Sequence, residues 1–377
     1  MPEHPNILCV STAGSGQDPL RMRRLTQDVR AECTYYDFDR SRSRWANMRA
    51  FTDTLRSSTW DLVYQEGTSI AGGAALIRAA WQWNERYVIS SGDPVGGFFK
   101  TVKGPLWGMA FERYERLLYR NAAGFIGWTP YLTGMAMKMG APRAVTVEGA
   151  VDRNLFEAYD SAKRRVLKQK YSLDPDHIVC GVVGSLTWTE RQEYCYGLEL
   201  VEMMNYLDRD DVSVLIVGDG DGKARLEARV PDVLRDRIVF TGRVPEEEVV
   251  GTLNAMDIGF ITQTLDELGR YRLTTKLPEY LACGLPIAMS PIPGYYDYVG
   301  DAGWPLPAHH PADDAFHRGV ATWLDGITRE AIQTRRPKAL ARSERFSYER
   351  IRPRFTAFIH DLLSVGEQTP AGASIAT

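Results

Sequence analysis

Lys276 and Glu279 stand three residues apart in the segment Leu273-Thr-Thr-Lys276-Leu-Pro-Glu279-Tyr-Leu-Ala-Cys-Gly284-Leu-Pro286-Ile. On a helix that spacing puts both side chains on one face, close to the helix N-terminus. An ammonium there can neutralise a diphosphate, and a carboxylate can accept two hydroxyls of a ribose. Read as structure alone, the two residues are an ordinary surface pair. Gly284 marks the helix end and Pro286 the start of a buried strand.

A second constellation is Val217-Gly218-Asp219-Gly220-Asp221-Gly222, which follows an apolar run. Glycine loops between a strand and a helix turn backbone N–H groups toward phosphate. The Asp219/Asp221 pair could instead hold a divalent metal. Asp37-Phe-Asp39, Asp174-Pro-Asp176 and Asp208-Arg-Asp210 repeat the same spacing elsewhere, so the pair has little specificity and no metal is expected. Asp93, in Ser90-Ser-Gly-Asp93-Pro94, is placed to take a proton from an incoming hydroxyl or to cap a turn before proline. Gly14, Ser15 and Gly16 form either a loop that lets a ligand approach the backbone or a plain strand-to-helix turn. Pro19 stands where a dinucleotide fingerprint requires its third glycine, which disfavours a nicotinamide enzyme.

These residues sit in a chain of 377, 44% hydrophobic and 25% charged, with a formal net charge of -3. That composition supports packed cores and excludes disordered and collagen-like classes. It supplies no global basic field for nucleic acid. No apolar stretch approaches the ~20 residues of a membrane span, and the N-terminus does not read as a signal peptide; a cytoplasmic location is the expectation. The five cysteines are scattered and read as reduced core thiols, and no histidine lies between positions 5 and 176. His309-His310 reads as a solvated loop. The aromatic stretch 98–111 reads as core packing, with peripheral contact to a membrane surface as the alternative.

The elements that must position this chemistry alternate along the chain. Strands are expected at 6–10, 33–36, 61–65, 87–90, 124–127 and 144–147, then at 178–183, 212–217, 237–240, 257–261 and 286–289. Helices are expected between them, among them 19–31, 106–120, 192–207 and 275–282. Two such series predict an α/β protein of two Rossmann-like doubly wound domains, with ligands beyond the carboxyl ends of the strands, in a cleft between facing domains. The boundaries expected are 1–155 for an N-terminal domain and 156–345 for a C-terminal one. A helix at 346–365 crosses back, and 366–377 forms a disordered tail. The charged run 161–170 reads as a solvated helix face on the linker.

At these segments the chain resembles the GT-B-fold glycosyltransferases, in particular the large retaining family 4. The likeness rests on AVTVEGAVDRNLF (144–156), VVGSL, VLIVGDGDG, VFTGRVP and KLPEYLACGLPI occurring in the family's order. The resemblance implies metal-independent transfer of a sugar from a UDP- or GDP-sugar to an acceptor hydroxyl with retention. The acceptor would be a glycan, a lipid-linked sugar or a small molecule bound by the N-terminal domain, and no cofactor beyond the donor would be needed. Glu279 would hold the donor ribose, Gly218, Asp219 and Gly220 would approach the nucleotide and phosphates, and Arg243 and Val244 would lie near the base. Lys276 and Arg191 would bind the diphosphate, with Asp93 on the acceptor side beside the 14–16 loop.

Two departures stand out. Ser185 replaces a usual arginine, and Tyr271 occupies the position of the family's first E-x7-E glutamate, leaving Arg270, Tyr271 and Arg272 to meet the donor sugar. They motivate an alternative, a non-catalytic nucleotide- or sugar-binding module on a degenerate scaffold. A nucleotide-sugar epimerase of the same architecture is the other alternative.

Overall fold

The computed structural model describes residues 4–12 and 17–366. It contains two six-stranded sheets, parallel throughout. The first is built from β1 (Asn6–Ser11), β2 (Glu32–Asp37), β3 (Leu62–Glu66), β4 (Tyr87–Ser91), β5 (Gly124–Gly127) and β6 (Ala144–Thr146), in the order β2-β1-β3-β4-β5-β6. The second holds β7 (Ile178–Val183), β8 (Val212–Val217), β9 (Ile238–Gly242), β10 (Ile258–Ile261), β11 (Ile287–Met289) and β12 (Gly303–Pro305), in the order β12-β11-β10-β7-β8-β9. Central strands such as Val-Ser-Val-Leu-Ile-Val in β8 are buried from end to end, as expected where helices cover both faces of a parallel sheet.

The chain divides into two compact units. One takes in the residues up to Lys100, then Pro105–Ala150 and the chain from Tyr348 on; the other takes in Thr101–Gly104 and Val151–Ser347. The crossing from the first unit to the second thus falls a few residues before the expected 155/156 boundary. The final helix, Tyr348–Gly366, belongs to the first unit. Its Phe355 packs 5.1 Å from the Tyr64 ring, and Phe358 lies on the bare backbone of Gly124.

Several expectations need correction. The second sheet has a sixth strand, Gly303–Pro305, too short to show a pattern in the sequence. The helix expected at 192–207 is reduced to Leu198–Met203. Thr189–Tyr194 folds back on itself, and Gly197 takes φ +96°, a left-handed conformation that a continuous helix does not contain. A helix at Val95–Lys103 precedes the one beginning at Pro105. Glu115 is buried and accepts the Val95 and Gly96 N–H groups at 2.8 and 2.9 Å, which closes the N-terminus of that helix.

The run 161–170 is a helix capped by Asp160, yet its charges are not all solvated. Arg164 and Lys168 donate to Asp257 at 2.6 and 2.7 Å, the Val179 N–H adds a bond of 2.9 Å, and Arg336 lies 3.6 Å away. Desolvation works to raise the buried Asp257 carboxyl, and Lys168, Arg164 and Arg336 outweigh it and hold the group at about 2. This cluster ties the linker helix to the starts of β7 and β10.

Candidate functional site

In the second sheet the order reverses between β7 and β10, because β8 and β9 extend on one side of β7 and the later strands on the other. Loops leaving such a switch point in opposite directions open a crevice at the carboxyl ends of the strands. Val183-Gly184 and Ile261-Thr262 flank it. Gly259, lacking a side chain, lets the Tyr280 ring lie across β10, and the Tyr280 hydroxyl accepts the Val183 N–H at 2.8 Å. The helix Lys276–Ala282 is thereby pinned with its first turn at the crevice.

Lys276 is buried, 8% exposed. Its Nζ lies 3.1 Å from the centroid of the Tyr196 ring, and a Cβ placed on Gly184 would fall 2.8 Å from it. Burial pulls the ammonium below its ordinary value, as does the Arg272 guanidinium, while Tyr196, Glu199 and Glu279 pull the other way. Glu279, half-buried one turn on, has its carboxyl pushed up to about 8 by desolvation, with Lys276 opposing and Glu246 adding to the rise. Glu246 opens the helix Glu246–Ala255, directly after Arg243-Val244-Pro245. One electrostatic neighbourhood therefore contains Lys276, Glu279, Arg272 and the start of the helix that follows β9.

The loops after β7 and β8 meet backbone to backbone. Gly218, at φ +138°, has no space for a Cβ: it would fall 1.8 Å from the Gly184 carbonyl oxygen. A Cβ on Gly220 would likewise meet backbone, 2.6 Å from the Leu186 carbonyl. Asp221 accepts the Trp188 N–H at 2.8 Å and Asp219 accepts the Gly220 N–H at 2.9 Å, so both loop carboxylates hold backbone. Gly218→Ala is expected to cost about 3 kcal/mol of stability, from backbone strain and overpacking together. Gly184→Ala meets chiefly the far end of the Lys276 side chain, and it should leave the unfolding midpoint nearly unchanged. Denaturant unfolding and calorimetry on the two variants check the contrast.

The other expected residues are distributed differently. Arg243 is exposed and Val244 half-buried in the loop after β9. Arg270 and Tyr271 end a one-turn helix, Glu267–Tyr271, that Asp266 caps; Arg270 is exposed and Tyr271 half-buried. Arg191 lies exposed on the 189–194 turn, whereas the guanidinium that shifts Lys276 is Arg272. Sequence reasoning missed Tyr196, Glu199, Thr262 and Gln263. Glu199 is fully buried, accepts from the Thr262 hydroxyl at 2.5 Å and the Gly197 N–H at 3.1 Å, and is pushed up by burial. A carboxylate in the apolar run Leu198-Glu-Leu-Val201 was the available signal.

The first sheet has its own switch point, between β1 and β3. There the buried Glu66 receives Arg21 at 2.6 Å, Ser90 at 2.7 Å, the Trp128 indole at 3.2 Å and the Tyr64 hydroxyl. Those bonds commit Glu66 to holding structure. Asp18 is pushed up to about 6 by desolvation and by Glu66, against the pull of Arg21, with Asp93 adding to the rise. Asp93 lies at the end of β4 in a turn where the Ser91 hydroxyl donates to its carbonyl at 2.8 Å. Gly14, Ser15 and Gly16 lie outside the described residues.

The 98–111 stretch is only partly core. Phe99 and Phe111 stack with centroids 3.6 Å apart, while Phe98, Leu106, Trp107 and Met109 are 43–77% exposed. His310 accepts the Ala312 N–H, a loop contact. Among the described residues no helix is long and apolar enough to cross a membrane.

Residues 177–325 match the family model described as group 1 glycosyl transferases. A 2-deoxystreptamine glucosyltransferase of Streptomyces kanamyceticus is 31% identical over 191 residues, covering 49% of this chain and 47% of that protein. A GDP-mannose-dependent alpha-mannosyltransferase of Mycobacterium tuberculosis is 26% identical over 245 residues, 65% of this chain and 59% of that protein. The aligned segments thus span about half the length of these curated relatives. Among solved structures, Anabaena HepE in complex with UDP and glucose superposes with a TM-score of 0.72 at 16% identity, over 95% of this chain and 100% of that one. Sucrose-phosphate synthase from Thermosynechococcus elongatus gives 0.74 at 16% identity, over 96% and 100%. At those identities the likeness is one of fold, and the fold is GT-B.

Proposed function

We propose that this chain is a glycosyltransferase that moves a sugar from a nucleotide-diphosphate donor to an acceptor hydroxyl with retention at the anomeric carbon. The observation that carries the reading is the pairing of a buried ammonium, Lys276, with Glu279 at the β7–β10 switch point, inside the segment that matches the group 1 family model. The loops after β7, β8 and β9 succeed one another across roughly 10 Å at the usual ~4.8 Å strand spacing, about the reach of a nucleoside diphosphate. The diphosphate would meet Lys276 and the Gly184–Gly218 contact, the ribose Glu279, and the base the Arg243-Val244 loop. As the glycosidic bond to the donor breaks, negative charge grows on the leaving diphosphate. Lys276, with Arg272 near it and Arg191 as a further cation, would stabilise that charge. The departing phosphate can accept the acceptor's proton, so the scheme needs neither a protein nucleophile nor a metal.

The acceptor is assigned to the first unit, at the ends of β1, β3 and β4. Asp18 and Asp93 there give the acceptor site an acidic character that suits a small polyol bearing amines, the kind of molecule named for the Streptomyces kanamyceticus relative. Asp93 would orient the attacking hydroxyl, whose proton passes to the departing phosphate. Asp93→Asn should lower transfer about tenfold, the scale of one hydrogen bond to a charged group, with nucleotide affinity untouched; equal turnover would remove Asp93 from the site. A cytoplasmic site of reaction belongs to this proposal, and the exposed Phe98, Leu106, Trp107 and Met109 would let the protein rest on a membrane surface.

Thermal-shift measurements with UDP, GDP and their sugars test the reading, since binding to the native state raises the unfolding midpoint. One base should stabilise the protein and the other should not; no shift with either would oppose the proposal. The Glu279 carboxyl adds a pH signature. Ribose hydroxyls donate to the carboxylate form, which gains population as pH rises toward about 8. Nucleotide affinity should climb from pH ~6 through about 8 and level roughly a unit above that. Glu279→Gln should flatten that rise and leave only the ligand's own phosphate ionisation.

A further inference from the structure

The placement of Lys276 depends on one ring. Its Nζ sits 3.1 Å from the Tyr196 centroid, where the negative face of an aromatic ring attracts a cation. Tyr196 is itself held from several sides. Its hydroxyl accepts from Gln263 Nε2 at 3.1 Å. The Gln263 backbone is gripped by Ser290 twice: its N–H donates to Oγ and its carbonyl accepts from that hydroxyl, each at 2.8 Å. The preceding residue, Thr262, donates to the buried Glu199 at 2.5 Å and pairs with the Tyr194 hydroxyl at 2.7 Å. The Tyr194 ring stands edge-on to Tyr196, with centroids 6.2 Å apart and planes at 77°. The ends of β10 and β11, the helix Leu198–Met203 and the chain leading into it therefore converge on the ring that carries the lysine.

We propose that Tyr196 is a positioning residue, whose ring, fixed by Gln263, Thr262 and Glu199, poses the Lys276 ammonium against the Gly184–Gly218 contact for the donor's diphosphate. The assignment rests on the donor reading above and names a residue that reading does not use. A ring suits the task because it orients a cation without neutralising it. A carboxylate in direct contact would compete with the diphosphate for the same charge, whereas a neutral ring has no anion to release when ligand arrives. The charged and titratable groups acting on Lys276 are Tyr196, Arg272, Glu199 and Glu279, and none of the last three replaces the ring contact.

The test compares Tyr196→Phe and Tyr196→Leu in the full chain, with UDP and GDP as probes in calorimetry. Competitive acetylation of Lys276 by acetic anhydride, read by mass spectrometry, is run on the unliganded protein. The phenylalanine variant keeps the ring and should bind nucleotide within about twofold of the parent. The leucine variant should lose about tenfold in affinity, the scale of one partly desolvated cation–π contact, and its Lys276 should acetylate faster. Unchanged affinity and acetylation in the leucine variant would overturn the proposal. So would a phenylalanine variant as impaired as the leucine one, because the effect would then belong to the hydroxyl. Should the leucine variant not fold, Tyr196→Met removes the ring while a flexible side chain fills its space: faster acetylation of Lys276 supports the proposal and an unchanged rate overturns it. If the parent binds neither UDP nor GDP, the donor reading fails, and the acetylation comparison still decides the role of Tyr196.

Discussion

Lys276→Met is expected to reduce sugar transfer about 10²–10³-fold, the loss that follows removal of one preorganised group aimed at developing charge. The same change should leave the fold intact or firmer. Lys276 is buried, and desolvation pulls its ammonium below the ordinary value, so the unliganded protein holds this charge at a cost. Methionine keeps the length of the stem without the charge. Functional sites commonly trade stability for activity in this way. Steady-state transfer and a urea unfolding curve on the same preparation check both halves. A variant that is less stable and equally active would contradict the role given to Lys276.

The second large effect concerns stability alone. Asp257→Ala would leave Arg164 and Lys168 without their carboxylate and Arg336 without its nearest counter-charge. Breaking a buried ion cluster from one side costs about 3–5 kcal/mol, because the remaining charges stay desolvated. The loss should appear in the unfolding of the unit that contains the second sheet. Its pH dependence has a definite sign. The carboxyl is held at about 2 in the folded protein against an ordinary 3.8. The stability it contributes is therefore fully present above the unfolded value and disappears as pH falls through about 2. The gap between parent and variant should close in acid.

Much of this arrangement is legible in the sequence because parallel strands buried on both faces are continuous apolar runs. Val-Ser-Val-Leu-Ile-Val followed by Gly-Asp-Gly marks β8 and its loop without ambiguity, and Lys276, Glu279 and Gly284 mark a helix that starts at a strand's carboxyl end. The illegible parts have identifiable causes. Gly197 ends an apparently helical pattern through a positive φ, which residue type permits and does not require. Lys168 sits in a run of solvated charges, and only the position of Asp257, 89 residues on, draws it inside. Arg272 rather than Arg191 acts on Lys276, a proximity that depends on how β10 leads into its loop. The support of Tyr196 by Gln263, Thr262 and Glu199 joins residues up to 67 positions apart, which no local spacing discloses.

The most direct measurement is a crystal structure of the full chain with the nucleoside diphosphate that stabilises it. The expected result is diphosphate oxygens within hydrogen-bonding distance of Lys276 Nζ beside Gly184 and Gly218, with the ribose hydroxyls on Glu279. A diphosphate held elsewhere on the chain, or a ribose facing away from Glu279, would contradict it.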